Sequence, residues 1–417
     1  MHRDASHAQF SPMTIDITST YQPIVALDGR AVVGYEALVR TCGDAQAISP
    51  PQLLREAADR GESAEFDWRC RLSALSGAVE AGFPEGLALF VNAEPTALDA
   101  PPPRECLPLM AEASRLSIIV EITERDLMGD PAGLLRAVEH ARDLGWRVAL
   151  DDVGADSSSL ALIPLLRPDV IKLDMSLVQG RSSYATASVV SAVAAEAERS
   201  GALVLAEGIE TEQHEATAHD MGAVLGQGYL YGAPTHLPTF GATGGTANTL
   251  ELEPAITVRA PVAVTPYGLV HRFGTRRRAD ARLLDDIENG LLRSVYGTGA
   301  STVVLATTNA SAGSTAERVA LFDDLAVRTA LLAVFDSRPM PGEHRFRTVA
   351  VGEDEPLASE RSVVIVAPMS SVALIAVESG TAHDGSVLYD YCLTYDRHMV
   401  LDAATLLLRR LPARTRV

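Results

Sequence analysis

From Tyr21 to Tyr229 the chain alternates short β-rich runs with helical stretches, and few folds accommodate that pattern. Strand-type runs fall at Tyr21–Leu27, Ala31–Arg40, Leu87–Asn92, Ser117–Thr123, Arg147–Asp152, Val170–Asp174, Leu203–Glu207 and Val224–Tyr229. Helical patterns lie between them at Pro51–Arg60, Ala64–Glu80, Leu134–Leu144, Ala185–Arg199 and Glu212–Met221. Strand–helix alternation over about 230 residues suits a parallel-strand α/β barrel, whose usual size is about 250 residues. The start differs. Only Asp28-Gly29-Arg30 separates the first two runs, a turn signal too short for a parallel crossover. These two strands are therefore expected to form an antiparallel hairpin. The predicted fold is an irregular (β/α)8 TIM-like barrel with an antiparallel first strand, followed by a smaller mixed α/β domain.

Residues 235–260 contain Thr-Gly-Gly-Thr, Asn248, Pro238 and Pro254, and they read as a linker. Beyond it, strands are expected at Ser301–Thr308, Leu331–Phe335, Arg345–Val351 and Ser362–Ala367. Helices are expected at Arg278–Tyr296, Ala316–Ala326 and Asp402–Arg410. No chemical motif stands out there, and Arg276-Arg277-Arg278 reads as a solvated surface.

The net charge of −19 is unevenly spread. Residues 1–240 hold 34 acidic and 17 basic residues, a balance of −17, whereas residues 241–417 hold 20 and 18, a balance of −2. This disfavours duplex nucleic acid as a partner, because a duplex binder needs a basic footprint. It leaves room for an anionic substrate if metal ions supply positive charge locally. Cys42, Cys70, Cys106 and Cys392 form no C-x-x-C pair and read as reduced cytosolic thiols. Met1 to Met13 carry His, Arg and Asp without an apolar core, unlike a signal peptide, and no apolar run approaches a membrane span. A cytoplasmic protein with no membrane association is expected.

The polar residues of the first part fall at strand ends. Glu36 follows Val32-Val33-Gly34-Tyr35, Asn92 follows Leu89-Phe90-Val91, and Glu121 follows Ile118-Ile119-Val120. Asp151 and Asp152 follow Val148-Ala149-Leu150, and Lys172 follows Val170-Ile171. Glu207 follows Val204-Leu205-Ala206, and Gln227 follows Val224-Leu225-Gly226. In a barrel the strand C-terminal ends converge on one face, so these residues would line one mouth. Singly, each reads as a cap or turn former; their recurrence in strand order favours a shared site. Lys172 is the one lysine among 35 basic residues. Its compact ammonium differs in kind from the planar arginine fork used everywhere else.

Five carboxylates and one carboxamide near one point repel each other unless cations sit among them. Oxygen donors without Cys or His suggest hard ions such as Mg²⁺ or Mn²⁺. Adjacent Asp151 and Asp152 could bridge two ions, and a two-metal site suits in-line attack on a phosphodiester. Lys172 would then orient or polarise the attacking water.

Glu36-Ala37-Leu38, within Tyr35-Glu36-Ala37-Leu38-Val39-Arg40, resembles the signature of the EAL domain, the cyclic di-GMP phosphodiesterases. Tyr21-Gln22-Pro23-Ile24, Phe90-Val91-Asn92, Glu121-Ile122-Thr123-Glu124, Asp151-Asp152, Ile171-Lys172-Leu173-Asp174, Glu207-Gly208-Ile209-Glu210 and Gln227-Gly228-Tyr229 follow in family order. The resemblance implies a barrel over residues 14–240 that hydrolyses cyclic di-GMP to linear pGpG, in a homodimer. It implies that Glu36, Asn92, Glu121 and Asp151 hold one metal, and that Asp151, Asp152 and Glu207 involve the other. Lys172 would contact the nucleophilic water. Arg40 would bind a substrate phosphate, Gln22 and Gln227 would line the nucleotide or water site, and Glu124 and Glu210 would support the loop after Asp152. Residues 241–254 would be the linker. Residues 255–417 resemble the DICT sensory domain in length and in two of their strands.

The loop departs from the family. Where members commonly read Asp-Asp-Phe-Gly-Thr-Gly-Tyr-Ser-Ser, this chain has Asp151-Asp152-Val153-Gly154-Ala155-Asp156-Ser157-Ser158-Ser159. The alternative to an enzyme is a cyclic di-GMP receptor that uses the barrel for binding alone. A pure protein-interaction platform would need none of the polar strand ends.

Overall fold

The structure is a computed structural model. It describes residues 11–42, 48–98, 102–123, 129–155, 160–161, 163–240, 249–250, 263–298, 300–309, 315–338, 340 and 342–413. Eight strands close a barrel in chain order: β1 (Ile17–Ala26), β2 (Val32–Thr41), β3 (Ala88–Asn92), β4 (Ser117–Thr123), β5 (Arg147–Val153), β6 (Val170–Leu173), β7 (Leu203–Ala206) and β8 (Leu225–Gln227). As expected from the short turn, β1 is antiparallel to β2, and it is antiparallel to β8 as well. The other neighbours are parallel.

Side chains alternate across a strand, so each barrel strand sends one set inward and one outward. Ile24, Ala88, Phe90, Ile119, Ala149, Val170, Leu205 and Leu225 form one packed inner cluster. Leu89, Val91, Ile118, Val120, Val148, Leu150, Ile171 and Leu173 belong to the larger core, together with side chains of the surrounding helices. Those helices include Ser63–Glu80, Pro131–Asp143, Tyr184–Ser200 and Glu212–Asp220. Three of them start on side-chain caps: Asp130 accepts from the Gly133 N–H, Ser183 from Thr186 and Thr211 from His214.

A second, seven-stranded sheet follows: β9 (Arg277–Asp280), β10 (Val303–Thr308), β11 (Leu331–Asp336), β12 (Arg347–Ala350), β13 (Glu360–Val366), β14 (Ser371–Thr381) and β15 (Val387–Thr394). Its order is β12-β11-β10-β13-β14-β15-β9. Only β10–β11 and β11–β12 are parallel pairs. Arg278 does not open a helix. It lies in the edge strand β9, paired with β15, with its Nε 3.1 Å from Asp390 Oδ1. The helix starts later, at Ala281–Ser294, where Asp280 caps the Leu283 N–H. An edge strand carries charges on its open side, which hides it in a charge-rich run. The β14–β15 hairpin and the helix Pro266–Phe273 were not anticipated. The last helix is Arg397–Leu408, capped by Asp396, and so begins before Asp402.

Helix Arg397–Leu408 lies between the second sheet and the barrel. Its Leu401, Ala404 and Leu408 share one hydrophobic cluster with Leu135 and Leu166 of the barrel helices and with Val364 and Ile375 of the sheet. Ion pairs cross the same junction: Arg397 with Glu196 at 3.2 Å, Arg167 with Asp402 at 3.6 Å, and Arg409 with Glu139. No helix among the described residues is long and apolar enough to cross a membrane.

One glycine sets how closely β2 and β3 approach. A Cβ on Gly34 would lie 2.6 Å from the Ala88 carbonyl oxygen. Gly34 pairs with Ala88, and two residues on Glu36 pairs with Phe90. Gly34→Ala is expected to destabilise the barrel by roughly 1–3 kcal/mol through overpacking. An unchanged Tm would show that the two strands separate freely.

Candidate active site

The barrel's inner alternation generates the site. On β3 to β8, two residues beyond the last inward apolar residue, towards the C-terminal mouth, comes a polar one. Asn92 follows Phe90, Glu121 follows Ile119, Asp151 follows Ala149, Lys172 follows Val170, Glu207 follows Leu205 and Gln227 follows Leu225. On the reversed β1 the step runs backwards, from Ile24 to Gln22, and Gln22 stands opposite Glu36 in β2. An apolar layer is thus capped by a polar layer to which each strand, or for β7 the residue just after it, contributes.

Asp152 should break this pattern, since its neighbour Asp151 already points inward. The β5–β6 register resolves it. Leu150 pairs with Ile171 and Val153 with Leu173, so β5 holds one residue more than β6 across this stretch. That bulge bends the strand and re-aims a side chain. Asp152 adopts φ +56°, a left-handed conformation that Asp tolerates better than most residues. As a result, oxygens of Asp151, Asp152 and Glu207 lie within 4.8 Å of one another.

Lys172 sits at the centre, with 0 % of its surface exposed. Its Nζ lies 2.5 Å from Glu121 Oε1, 2.7 Å from Glu207 Oε1, 2.8 Å from Asp151 Oδ1 and 3.8 Å from Glu36 Oε2. Around this core run amide contacts. Asn92 Nδ2 donates to Glu36 Oε1 at 3.2 Å, and Gln227 Nε2 donates to Glu36 Oε2 at 2.5 Å and to Gln22 Oε1 at 3.1 Å. Gln22 Nε2 in turn donates to the Gly232 carbonyl at 3.1 Å.

One ammonium cannot neutralise this many buried carboxylates. Burial and the Glu36 carboxylate push Glu121 well above the usual carboxylate range, although Lys172 opposes the shift. Burial likewise raises Glu207 to about 8 against the pull of Lys172, with Asp151 and Glu36 adding to the rise. Burial disfavours the Lys172 ammonium, yet the carboxylates outweigh it and hold its pKa well above the ordinary lysine value. Burial, with the neighbouring carboxylates adding to it at Glu121 and Glu207, thus favours the protonated form of these acids.

The donor set fits hard divalent cations. It is all oxygen, and Glu121 Oε2 is buried with no hydrogen-bond partner among the described residues. Asp151, Asp152 and Glu207 offer a second group of oxygens beside it.

The other sequence candidates lie apart from these contacts. Arg40 is on the same face of β2 as Glu36, two alternations further on, and its Nη1 donates to the Val39 carbonyl at 2.8 Å. Glu210 is exposed ahead of helix Glu212–Asp220, its backbone N–H on His214 Nδ1 at 3.3 Å. Glu124 and Asp156–Ser159 lie outside the described residues. Asp174, part of the Ile171–Asp174 motif, caps helix Met175–Gln179 through the Ser176 N–H. Sequence reasoning missed Asp67 and Arg71, a buried ion pair behind β3. Their signal was two ionisable residues four apart, flanking the apolar Trp68 in a helix.

Lys172→Met is expected to destabilise the fold by about 3 kcal/mol in metal-chelating buffer, because removing one partner leaves buried charge uncompensated. The loss should be smaller at pH 6 than at pH 9, since protonation of Glu121 and Glu207 relieves the repulsion. Equal Tm values for the variant and the parent at pH 9 would contradict this account of the site.

A family model described as the EAL domain matches residues 13–234. Among curated relatives, the cyclic di-GMP phosphodiesterase RocR of Pseudomonas aeruginosa is 29% identical over 222 residues, 51% of this chain and 56% of that protein. An uncharacterized EAL-domain containing protein, YkuI of Bacillus subtilis, is 30% identical over 227 residues, 53% of this chain and 55% of that protein. The chain thus spans about half the length of these two relatives. Among solved structures, Klebsiella pneumoniae BlrP1 in a calcium and cyclic di-GMP complex is 26% identical, with a TM-score of 0.46, covering 56% of this chain and 58% of that chain.

Proposed function

The chain belongs to the EAL domain family, and from that premise we propose that its barrel is a metal-dependent phosphodiesterase that hydrolyses cyclic di-GMP to linear pGpG. The observation that carries the reading is the under-neutralised oxygen cluster around Lys172, with its unpartnered Glu121 oxygen. The named activity of the Pseudomonas relative points the same way. Glu36, Asn92, Glu121 and Asp151 would hold one divalent cation, and Asp151, Asp152 and Glu207 the other, as Mg²⁺ or Mn²⁺. Cations held there supply Lewis-acid activation of water and charge stabilisation at the phosphoryl oxygens.

The protein's own groups do the rest. Lys172 orients the attacking water through its Nζ. Gln227 and Asn92 fix both oxygens of Glu36 by donating to them. Gln22 and Gln227 line the nucleotide side of the mouth, and the Arg40 fork binds a substrate phosphate. Turnover of cyclic di-GMP to pGpG is expected with Mg²⁺ or Mn²⁺ and lost with a chelator. Glu36→Ala should lower kcat by more than the roughly 10–100-fold typical of outer-shell changes. Lys172→Arg should remove most activity, because a planar guanidinium cannot replace a compact ammonium. Tight binding of cyclic di-GMP without any pGpG would favour the receptor reading, to which the altered loop after Asp152 lends weight.

Within this proposal, residues 255–417 regulate the barrel of residues 14–240 across the linker at 241–254. Helix Arg397–Leu408 supports it, since it packs on the short helix Ile163–Leu166 that leads into β6 and Lys172. Arg167, at the turn before β6, has φ +48° and faces Asp402. Asp402→Arg is expected to change kcat by roughly two- to thirtyfold, the usual span of such couplings. Turnover equal to that of the parent would sever the second domain from the site.

A further inference from the structure

Helix Ser63–Glu80 carries a charged pair that is almost entirely buried. Asp67 is 4% exposed and Arg71 1%, and Arg71 Nη2 lies 2.6 Å from Asp67 Oδ2. The guanidinium is stacked over Trp68, 3.8 Å from the ring centroid. A buried ion pair seldom stabilises a fold more than well-packed hydrophobic residues do, so its role is to be sought in what it touches. Asp67 Oδ1 accepts the backbone N–H of Glu94 at 3.0 Å. Glu94 lies two residues beyond Asn92, at the end of β3. The intervening N–H, of Ala93, donates to the Glu121 carbonyl at 3.0 Å. The backbone leaving Asn92 is therefore tied on successive residues, first to β4 and then to Asp67. A carboxylate acceptor makes the second tie stronger than a neutral one would.

We infer that Asp67, held by Arg71, is a positioning residue for Asn92. By fixing the chain just past β3, it sets the direction of the Asn92 carboxamide, whose Nδ2 is on Glu36 Oε1. Two of the oxygen-ligand side chains thus depend on a carboxylate that lies outside the ring. The inference rests on the phosphodiesterase reading, in which Asn92 and Glu36 share a divalent cation. It adds a supporting residue of the kind whose loss typically costs about 10–100-fold in metal affinity or activity.

The test uses Asp67→Ala and Asp67→Asn in the full chain. Asn keeps an oxygen acceptor for the Glu94 N–H, while Ala removes it. Mn²⁺ affinity is measured by calorimetric titration without substrate, Tm by thermal unfolding, and kcat and KM with cyclic di-GMP. Asp67→Ala is expected to weaken Mn²⁺ binding about 10–100-fold and to lower kcat more than it raises KM. Asp67→Asn should stay within a few-fold of the parent. A folded Asp67→Ala with parental Mn²⁺ affinity overturns the inference, as does equal impairment in both variants, which would assign the effect to the lost charge. Should Asp67→Ala not fold, the double variant Asp67→Ala/Arg71→Met, which leaves no unpaired buried charge, decides: a loss of about tenfold in Mn²⁺ affinity supports the inference, and parental affinity overturns it. A parent protein that neither binds Mn²⁺ nor turns over cyclic di-GMP removes the phosphodiesterase reading and this inference together. An active parent with an Asp67→Ala variant of parental Mn²⁺ affinity removes this inference alone.

Discussion

A single ammonium group holds the mouth of the barrel together. Lys172 Nζ is the positive charge toward which Glu121, Asp151 and Glu207 converge, each within 2.8 Å. These acids come from three other strands, or from the residue just after one, so the ion pairs tie β4, β5, β6 and the end of β7 at one point. Carboxylates outnumber the ammonium, and burial, with the acids' mutual repulsion, pushes Glu121 and Glu207 upward. Perturbed acids gathered at one point in a barrel mouth are the usual mark of a functional site.

The position of that point follows from a simple rule of strand geometry. With a period of two, a polar residue placed two steps beyond an inward apolar one must face the same interior. Repeated around a closed barrel, the rule makes a polar ring without any loop having to be shaped for it. The exceptions are where the fold spends irregularity. β1 runs backwards and so contributes Gln22 from the opposite direction, facing Glu36 in register. β5 bulges, and the bulge brings a second aspartate to the same oxygens.

Much of this was legible in the sequence because it rests on local pattern. Strand–helix alternation and the three-residue turn at Asp28–Arg30 encode the barrel and its reversed start. The polar strand ends encode the ring. What escaped was non-local. Arg277–Asp280 becomes a strand only because β15 lies beside it, and its own composition is that of a charged surface. The Asp67–Arg71 pair was invisible as a site because nothing in helix Ser63–Glu80 says which backbone N–H the carboxylate will meet. Arg40 matches a motif, but its guanidinium is on the Val39 carbonyl, and motif order alone does not give a side chain's direction.

The departure after Asp152 then takes on a specific physical meaning. Val153, where the family commonly has Phe, is fully buried and pairs with Leu173 immediately after the bulge. It sits where β5 returns to register, and its side chain belongs to the core cluster behind the ring. Gly154 follows at φ +102°, and a Cβ there would fall 2.5 Å from Leu177 Cδ1 and 3.2 Å from Val189 Cγ1. The chain must therefore keep glycine at this step while losing the aromatic before it. The bulge is fixed at its exit by a buried aliphatic and a steric requirement, and both act on backbone. Asp151 and Asp152 lie where β5 leaves and regains its register with β6.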